Sequence, residues 1–291
     1  MSTLRTQAKQ RARSLLPFTE AMTKTTTCIY HFLVWNWYIF LNYYIPLIGK
    51  DEEKLKEFHD GGRSKYLTLL NLLLQAVFFG VACLDDVLKR IIGRKDITII
   101  TSIRDLLFTT LVFPISAFIF LVFWTLFHYD RSLIYPKGLD DFFPAWLNHA
   151  MHTYILLFAL VETILRPHHY PSKKLGLTLL GACNLAYITR VLWRYFQTGN
   201  WVYPVFASLN PLGIVIFFSV TYILSAIIYL LGEKINHWKW EDHTARCLCS
   251  QSSVGPMNAR RKKALCKCQS EAIDEEEVTT HCFPRAMEEE T

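Results

Sequence analysis

Charge is what this sequence has least of. Only 19% of its 291 residues are Asp, Glu, Lys or Arg, against 52% hydrophobic and 14% aromatic, whereas an ordinary globular chain carries about 25% charge. What charge there is has been displaced to the ends. Of 31 Lys and Arg, 14 lie in residues 1–27 and 233–291, and so do 12 of 25 Asp and Glu. The 205 residues from Cys28 to Gly232 share the remaining 30, set between long uncharged runs. A water-soluble domain built this way would lack polar cover, so that class is excluded. Catalytic signatures are missing too. No G-x-S-x-G, H-E-x-x-H or G-x-x-x-x-G-K-[ST] occurs, which removes the nucleophile elbow, the zincin helix and the phosphate loop. No N-x-Ser/Thr sequon and no cleavable secretory signal is visible, so the first apolar window is expected to act as signal anchor.

What is present is a series of apolar windows. A bilayer core takes about 20 such residues as a helix. The windows are Cys28–Gly49 (with Pro46 expected to end the helix early), Tyr66–Leu84, Leu106–Tyr129, Phe142–Val161, Leu175–Thr189 and about Leu212–Leu231. None alternates as a barrel strand would. The fold class expected is all-α, a polytopic membrane bundle of about six transmembrane helices with disordered cytosolic tails. Segments that would be cytoplasmic with the N-terminus inside carry 16 Lys and Arg, and the opposite loops carry 9. Both termini are therefore expected in the cytoplasm.

Three segments follow from this: a basic N-terminal stretch 1–27, a transmembrane domain 28–240, and a charged C-terminal tail 241–291. The tail has almost no apolar periodicity, so disorder is expected. It holds five of eight cysteines. Cys247-x-Cys249 and Cys266-x-Cys268 have one-residue gaps where zinc knuckles use two, and cytosolic placement argues against disulfides. No metal is expected there.

Chemistry should lie in the core, where intramembrane polar groups are costly and functional by default. Thr68, Asn71 and Gln75 are spaced three and four apart and share one helix face. Asn148 and His152 are four apart on another, with His149 on the adjacent edge. A lone membrane Thr usually bonds the carbonyl of its own preceding turn, but an imidazole near mid-span is harder to explain as structure. His149 and His152, with His168 and His169, also allow a weaker reading as metal ligands of a membrane lipid enzyme. A third reading is non-catalytic: a membrane regulator or scaffold whose polar stripes only pack helices.

Particular stretches sharpen this. Arg104-Asp105-Leu106-Leu107-Phe108, Tyr129-Asp130-Arg131, Ile134-Tyr135-Pro136-Lys137 and Trp146-Leu147-Asn148-His149-Ala150-Met151-His152-Thr153 resemble the androgen-induced family of multipass membrane proteins. Tyr170-Pro171-Ser172, Trp201-Val202-Tyr203-Pro204 and Leu230-Leu231-Gly232-Glu233-Lys234 agree. The resemblance runs from Met22 to Trp240. Residues 1–21 and 241–291 depart from it and look like alternative ends, with Met22 a second candidate start.

The resemblance implies a hydrolase of fatty acid esters of hydroxy fatty acids, in the cell membrane, with an intramembrane Thr nucleophile matched by Thr68 and a His base matched by His152. It also carries a regulatory association with tissue factor pathway inhibitor. Asn148 is expected to orient the ring or donate to the oxyanion. No cofactor, no metal and no nucleic-acid partner are expected; the partners are a lipid substrate and the bilayer. One difficulty stands in the spacing. Thr68 is third in its window and His152 eleventh, a depth offset of roughly 12 Å if both helices begin at one level.

Overall fold

The structure is a computed structural model describing residues 25–48, 65–92, 98–135 and 139–251, with 241–251 as backbone only. Among these residues there are helices and turns but no strand. The chain divides into two compact units, Met1–Asn236 and His237–Thr291. Helix α1 covers 25–44 and gives way at Pro46 to a 3₁₀ turn, Ile45–Leu47. Helix α2 is Leu67–Ile91, with Lys89 and Arg90 in its last turn, where cations complement the helix dipole.

Helix α3, Thr98–Leu107, continues through a π-turn, Phe108–Val112, into α4, Phe113–Asp130. The π-turn has a local cause. Pro114 has no N–H to give and its ring would press on the carbonyl four residues back. Widening the turn lets the Phe113 N–H reach Phe108 O instead. Helices α5, Ala145–His152, and α6, Tyr154–Leu165, are separated by a single residue, Thr153. Helix α7, Lys173–Thr198, stops at Gly199, whose φ of 70° is left-handed and whose N–H bonds Tyr195 O, a glycine C-terminal stop. Helix α8, Pro211–Gln251, opens on a proline, and Asn210 Oδ1 accepts from the Gly213 N–H at 2.7 Å.

Four stretches are long and apolar enough to cross a membrane: Leu67–Ile91, Thr98–Leu133, Lys173–Thr198 and Pro211–Trp240. They match the second, third, fifth and sixth windows. The first window is helical over 25–44, but its Tyr, Trp, Asn and His residues dilute its hydropathy. The fourth is not one helix. The Trp124 indole N–H donates to Thr153 Oγ1 at 3.1 Å, and Thr153 Oγ1 also bonds His149 Nδ1 at 3.0 Å, so the break is fastened on one side. Helix α8 continues into the first residues of the tail, through Gln251. The remainder of the tail, with Cys266 and Cys268, lies outside the described residues, as do residues 1–24.

Helices α1 to α6 supply most of the core, with Tyr38, Phe78, Phe79, Phe108, Leu147 and Ile155 fully buried. Large apolar side chains such as Leu185, Phe196, Leu212 and Val215 are exposed along α7 and α8. In water such a surface would drive association; against lipid it is the required finish. The molecule is a multi-pass helical membrane protein.

One end of the bundle is closed by ions. Asp86 meets His31 Nδ1 at 2.7 Å, and His31 Nε2 meets Glu162 at 2.7 Å. Glu162 pairs with His168 at 3.2 Å, and His168 with Asp105 at 3.0 Å. Asp105 pairs with Arg104 at 2.6 Å, Arg104 with Asp85 at 2.5 Å, and Arg166 joins Asp85 at 3.5 Å and Asp86 at 2.7 Å. The circuit closes on itself, alternating carboxylate and nitrogen base through eight residues. It ties α1, α2, α3 and α6 to the segment after α6. No member is left as an isolated buried charge, which is the condition for tolerating charge in an apolar interior.

Candidate active site

Thr68 sits in the first turn of α2 and His152 in the last turn of α5. Thr68 Oγ1 is 3.4 Å from His152 Nε2. The expected depth offset is absent because α2 does not begin at the level of the other helices. Its first N–H, from Leu67, donates to Tyr187 Oη at 2.9 Å and to Tyr203 Oη at 3.0 Å. Tyr187 lies midway along α7, so α2 starts partway through the bundle. Tyr66 makes no side-chain cap, and these two phenols do that work from other elements.

Asn148 is one helical turn before His152. Its Oδ1 lies 2.7 Å from His152 Nδ1, and its backbone carbonyl 3.0 Å. Both are acceptors, so Nδ1 carries the ring proton and Nε2 presents a lone pair to Thr68. Phe123 stacks on the imidazole with centroids 3.5 Å apart and planes 6° from parallel. The ring is therefore fixed in both tilt and rotation. Of Asn148's two expected roles, the geometry supports orientation: its carbonyl oxygen faces the ring.

Thr68 and His152 open onto one cavity of about 470 Å³, walled by Phe118, Val122, Phe123 and Met151 and by Tyr187 and Tyr203. That volume falls in the range for small-ligand sites, roughly 300–1,000 Å³. Lys65 is the one charged side chain among its described lining residues. A neutral threonine, a neutral imidazole and an amide need no ion in this apolar wall. Activation of the hydroxyl would come from the lone pair aimed at it. The 3.4 Å separation is long for an O–H···N hydrogen bond, as catalytic pairs often are without substrate.

The other polar residues of the stripes go elsewhere. Asn71 and Gln75 are buried and point their amide nitrogens at Ser116 Oγ, at 3.5 and 2.6 Å. His149 stacks on Trp124 at 5.1 Å. His168 stacks on Phe108 at 4.0 Å within the ion circuit, and the His169 N–H donates to Asp105. The rings of His149, His152 and His168 thus meet different partners, and among the described residues no group of three or more His, Cys, Asp or Glu could hold a metal. Sequence reasoning did not single out Phe123, Tyr187 or the ion circuit. Tyr203 was visible only as part of Trp201-Val202-Tyr203-Pro204, and Glu162, Asp85 and Asp86 stood just past the ends of their windows.

A polytopic helical bundle with a threonine–histidine pair on an apolar cavity is the class that fold and site define. The chain belongs to the FAR-17a/AIG1-like protein family, whose model matches residues 26–237. It is 91% identical over 219 residues to androgen-dependent TFPI-regulating protein of Mesocricetus auratus, covering 75% of this chain and 95% of that one. To the protein of that name in Homo sapiens it is 66% identical over 221 residues, covering 76% and 96%. Androgen-induced gene 1 protein of Homo sapiens is 43% identical over 188 residues, covering 62% and 79%. No solved structure matches the chain.

Proposed function

We propose that this protein is a membrane-embedded carboxylic ester hydrolase that cleaves fatty acid esters of hydroxy fatty acids, with Thr68 as nucleophile and His152 as base. The observation that carries the reading is the approach of Thr68 Oγ1 to an imidazole nitrogen whose tautomer Asn148 sets. An alcohol is a weak nucleophile at neutral pH and needs such a base. In acylation, Thr68 Oγ1 bonds to the ester carbonyl carbon as its proton passes to His152 Nε2. The carbonyl electrons move onto oxygen. When they return, the C–O bond to the hydroxy fatty acid breaks and His152 gives its proton to the departing alkoxide. Water then attacks the acyl-threonine, its proton taken by the same nitrogen, and Thr68 leaves with that proton as the fatty acid is released.

The cavity's apolar walls suit a lipid already dissolved in the bilayer. An ester partway along an acyl chain reaches such a site, whereas phospholipid esters remain near the head groups. The cell membrane, with both termini in the cytoplasm, is the setting this reading assigns. Thr68→Ala and His152→Ala in liposomes should each remove nearly all ester hydrolysis, and the double variant should be little worse than either, because residues acting as one unit are non-additive. Losses that multiply would mean the pair does not act together. The name of those relatives also supports a second reading, regulation of tissue factor pathway inhibitor. A catalytically dead Thr68→Ala protein that retained such an effect would separate the two.

A further inference from the structure

We infer that Tyr203 is the oxyanion donor of the proposed hydrolase, with Tyr187 as the residue that positions and feeds it; this rests on the ester-hydrolase reading. Any acyl transfer at Thr68 places negative charge on the former carbonyl oxygen, and in an apolar cavity that charge needs a donor. Asn148 does not supply it, since its Oδ1 faces the His152 ring and the residue is not among those that line the cavity. Of the polar groups on that cavity wall, the two phenols are the ones set against the first N–H of α2. Side chains on a helix lean toward its N-terminus, so the Thr68 hydroxyl and the Leu67 N–H face the same end, where Tyr187 and Tyr203 stand on the wall of the same cavity.

The two phenols hold two protons that can be arranged in two ways. Their oxygens are 3.0 Å apart, and Tyr187 Oη is 3.3 Å from Lys65 O. In one arrangement Tyr203 donates to Tyr187, which donates to the Lys65 carbonyl. In the other, Tyr187 donates to Tyr203, and the Tyr203 proton turns to the cavity. The exchange needs only two hydroxyl rotations, and both oxygens keep accepting from the Leu67 N–H throughout. It gives up a single long bond, the 3.3 Å contact to Lys65 O. A developing oxyanion selects the second arrangement. No covalent bond to either tyrosine forms or breaks.

The test uses the full chain in liposomes. Tyr203→Phe keeps the ring, and Tyr187 still accepts from Leu67, so the fold should hold, with thermal unfolding unchanged. Its kcat should fall about 100-fold, the loss typical of removing one oxyanion donor, with KM unchanged. Affinity for a trifluoromethyl ketone analogue, which forms an oxyanion on Thr68, should fall by the same factor. Affinity for a non-cleavable ether analogue should not change, and a merely structural role would lower it as well. Tyr187→Phe should show the same pattern with a smaller loss. Replacing Tyr203 with 3-fluorotyrosine keeps the hydroxyl and should retain kcat. The inference is overturned if Tyr203→Phe keeps its kcat, if ketone and ether affinities fall together, or if the fluorotyrosine protein loses as much as Tyr203→Phe. An active Thr68→Ala protein would instead overturn the hydrolase reading itself.

Discussion

At the scale of single residues, the contrast is between one neutral site and one charged one. The Thr68–His152–Asn148 arrangement uses an amide where many triads use a carboxylate, so no anion has to be buried beside the cavity. The pairing of Asn148 with His152 was legible in their one-turn spacing, whereas Thr68 stood on a polar stripe and was picked out only by the family resemblance. The ion circuit was not legible. His31 and Glu162 meet at 2.7 Å but are 131 residues apart in the chain, and no periodicity links them. Its energetics are testable. Glu162 is fully buried and faces both His31 and His168. Glu162→Gln removes the anion between them, and breaking a buried ion network costs about 3–5 kcal/mol. A thermal unfolding scan in nanodiscs should show a large loss of stability, with the Thr68–His152 contact preserved in whatever remains folded. An unchanged unfolding temperature would mean that the circuit contributes nothing to the fold.

Elements were read well where composition alone decides and poorly where a tertiary bond intervenes. The four long apolar helices follow from runs that carry too little charge to be solvated. Three departures could not be read from composition. The break at Thr153 depends on Trp124, the late start of α2 depends on Tyr187 and Tyr203, and the π-turn required knowing that the chain stays helical through Pro114. Helix contacts add a further constraint of this kind. On α7, a Cβ at Gly176 would lie 2.1 Å from Tyr229 Oη and 2.5 Å from its Cζ, and Tyr229 on α8 is fully buried. Small residues permit this sort of close approach between membrane helices. Gly176→Val should therefore destabilise the protein by about 1–3 kcal/mol, the usual cost of overpacking, as read by its unfolding temperature. Gly181 makes the gentler comparison. Its nearest neighbour, Tyr222 Cε2, would be 3.3 Å from a new Cβ, so Gly181→Ala should cost much less. Equal losses at the two positions would refute the packing argument.

On the scale of the whole molecule, chemistry and anchorage occupy different places along the same helix. Helix α2 begins with Thr68 in its first turn and ends with Asp85 and Asp86 in the ion circuit. The chain runs on from His152, at the end of α5, through α6 to Glu162. The circuit thus fixes the far ends of the elements that carry the pair, and the phenols fix the near end. The proposed hydrolysis stands on Thr68, activated by His152, acting as nucleophile. The most direct measurement is labelling of the purified protein in liposomes with a fluorophosphonate probe, followed by peptide mapping of the adduct. The expected result is a single adduct on Thr68, absent from Thr68→Ala and formed far more slowly in His152→Ala. Undiminished labelling in Thr68→Ala, or an adduct mapped to any other residue, would contradict it.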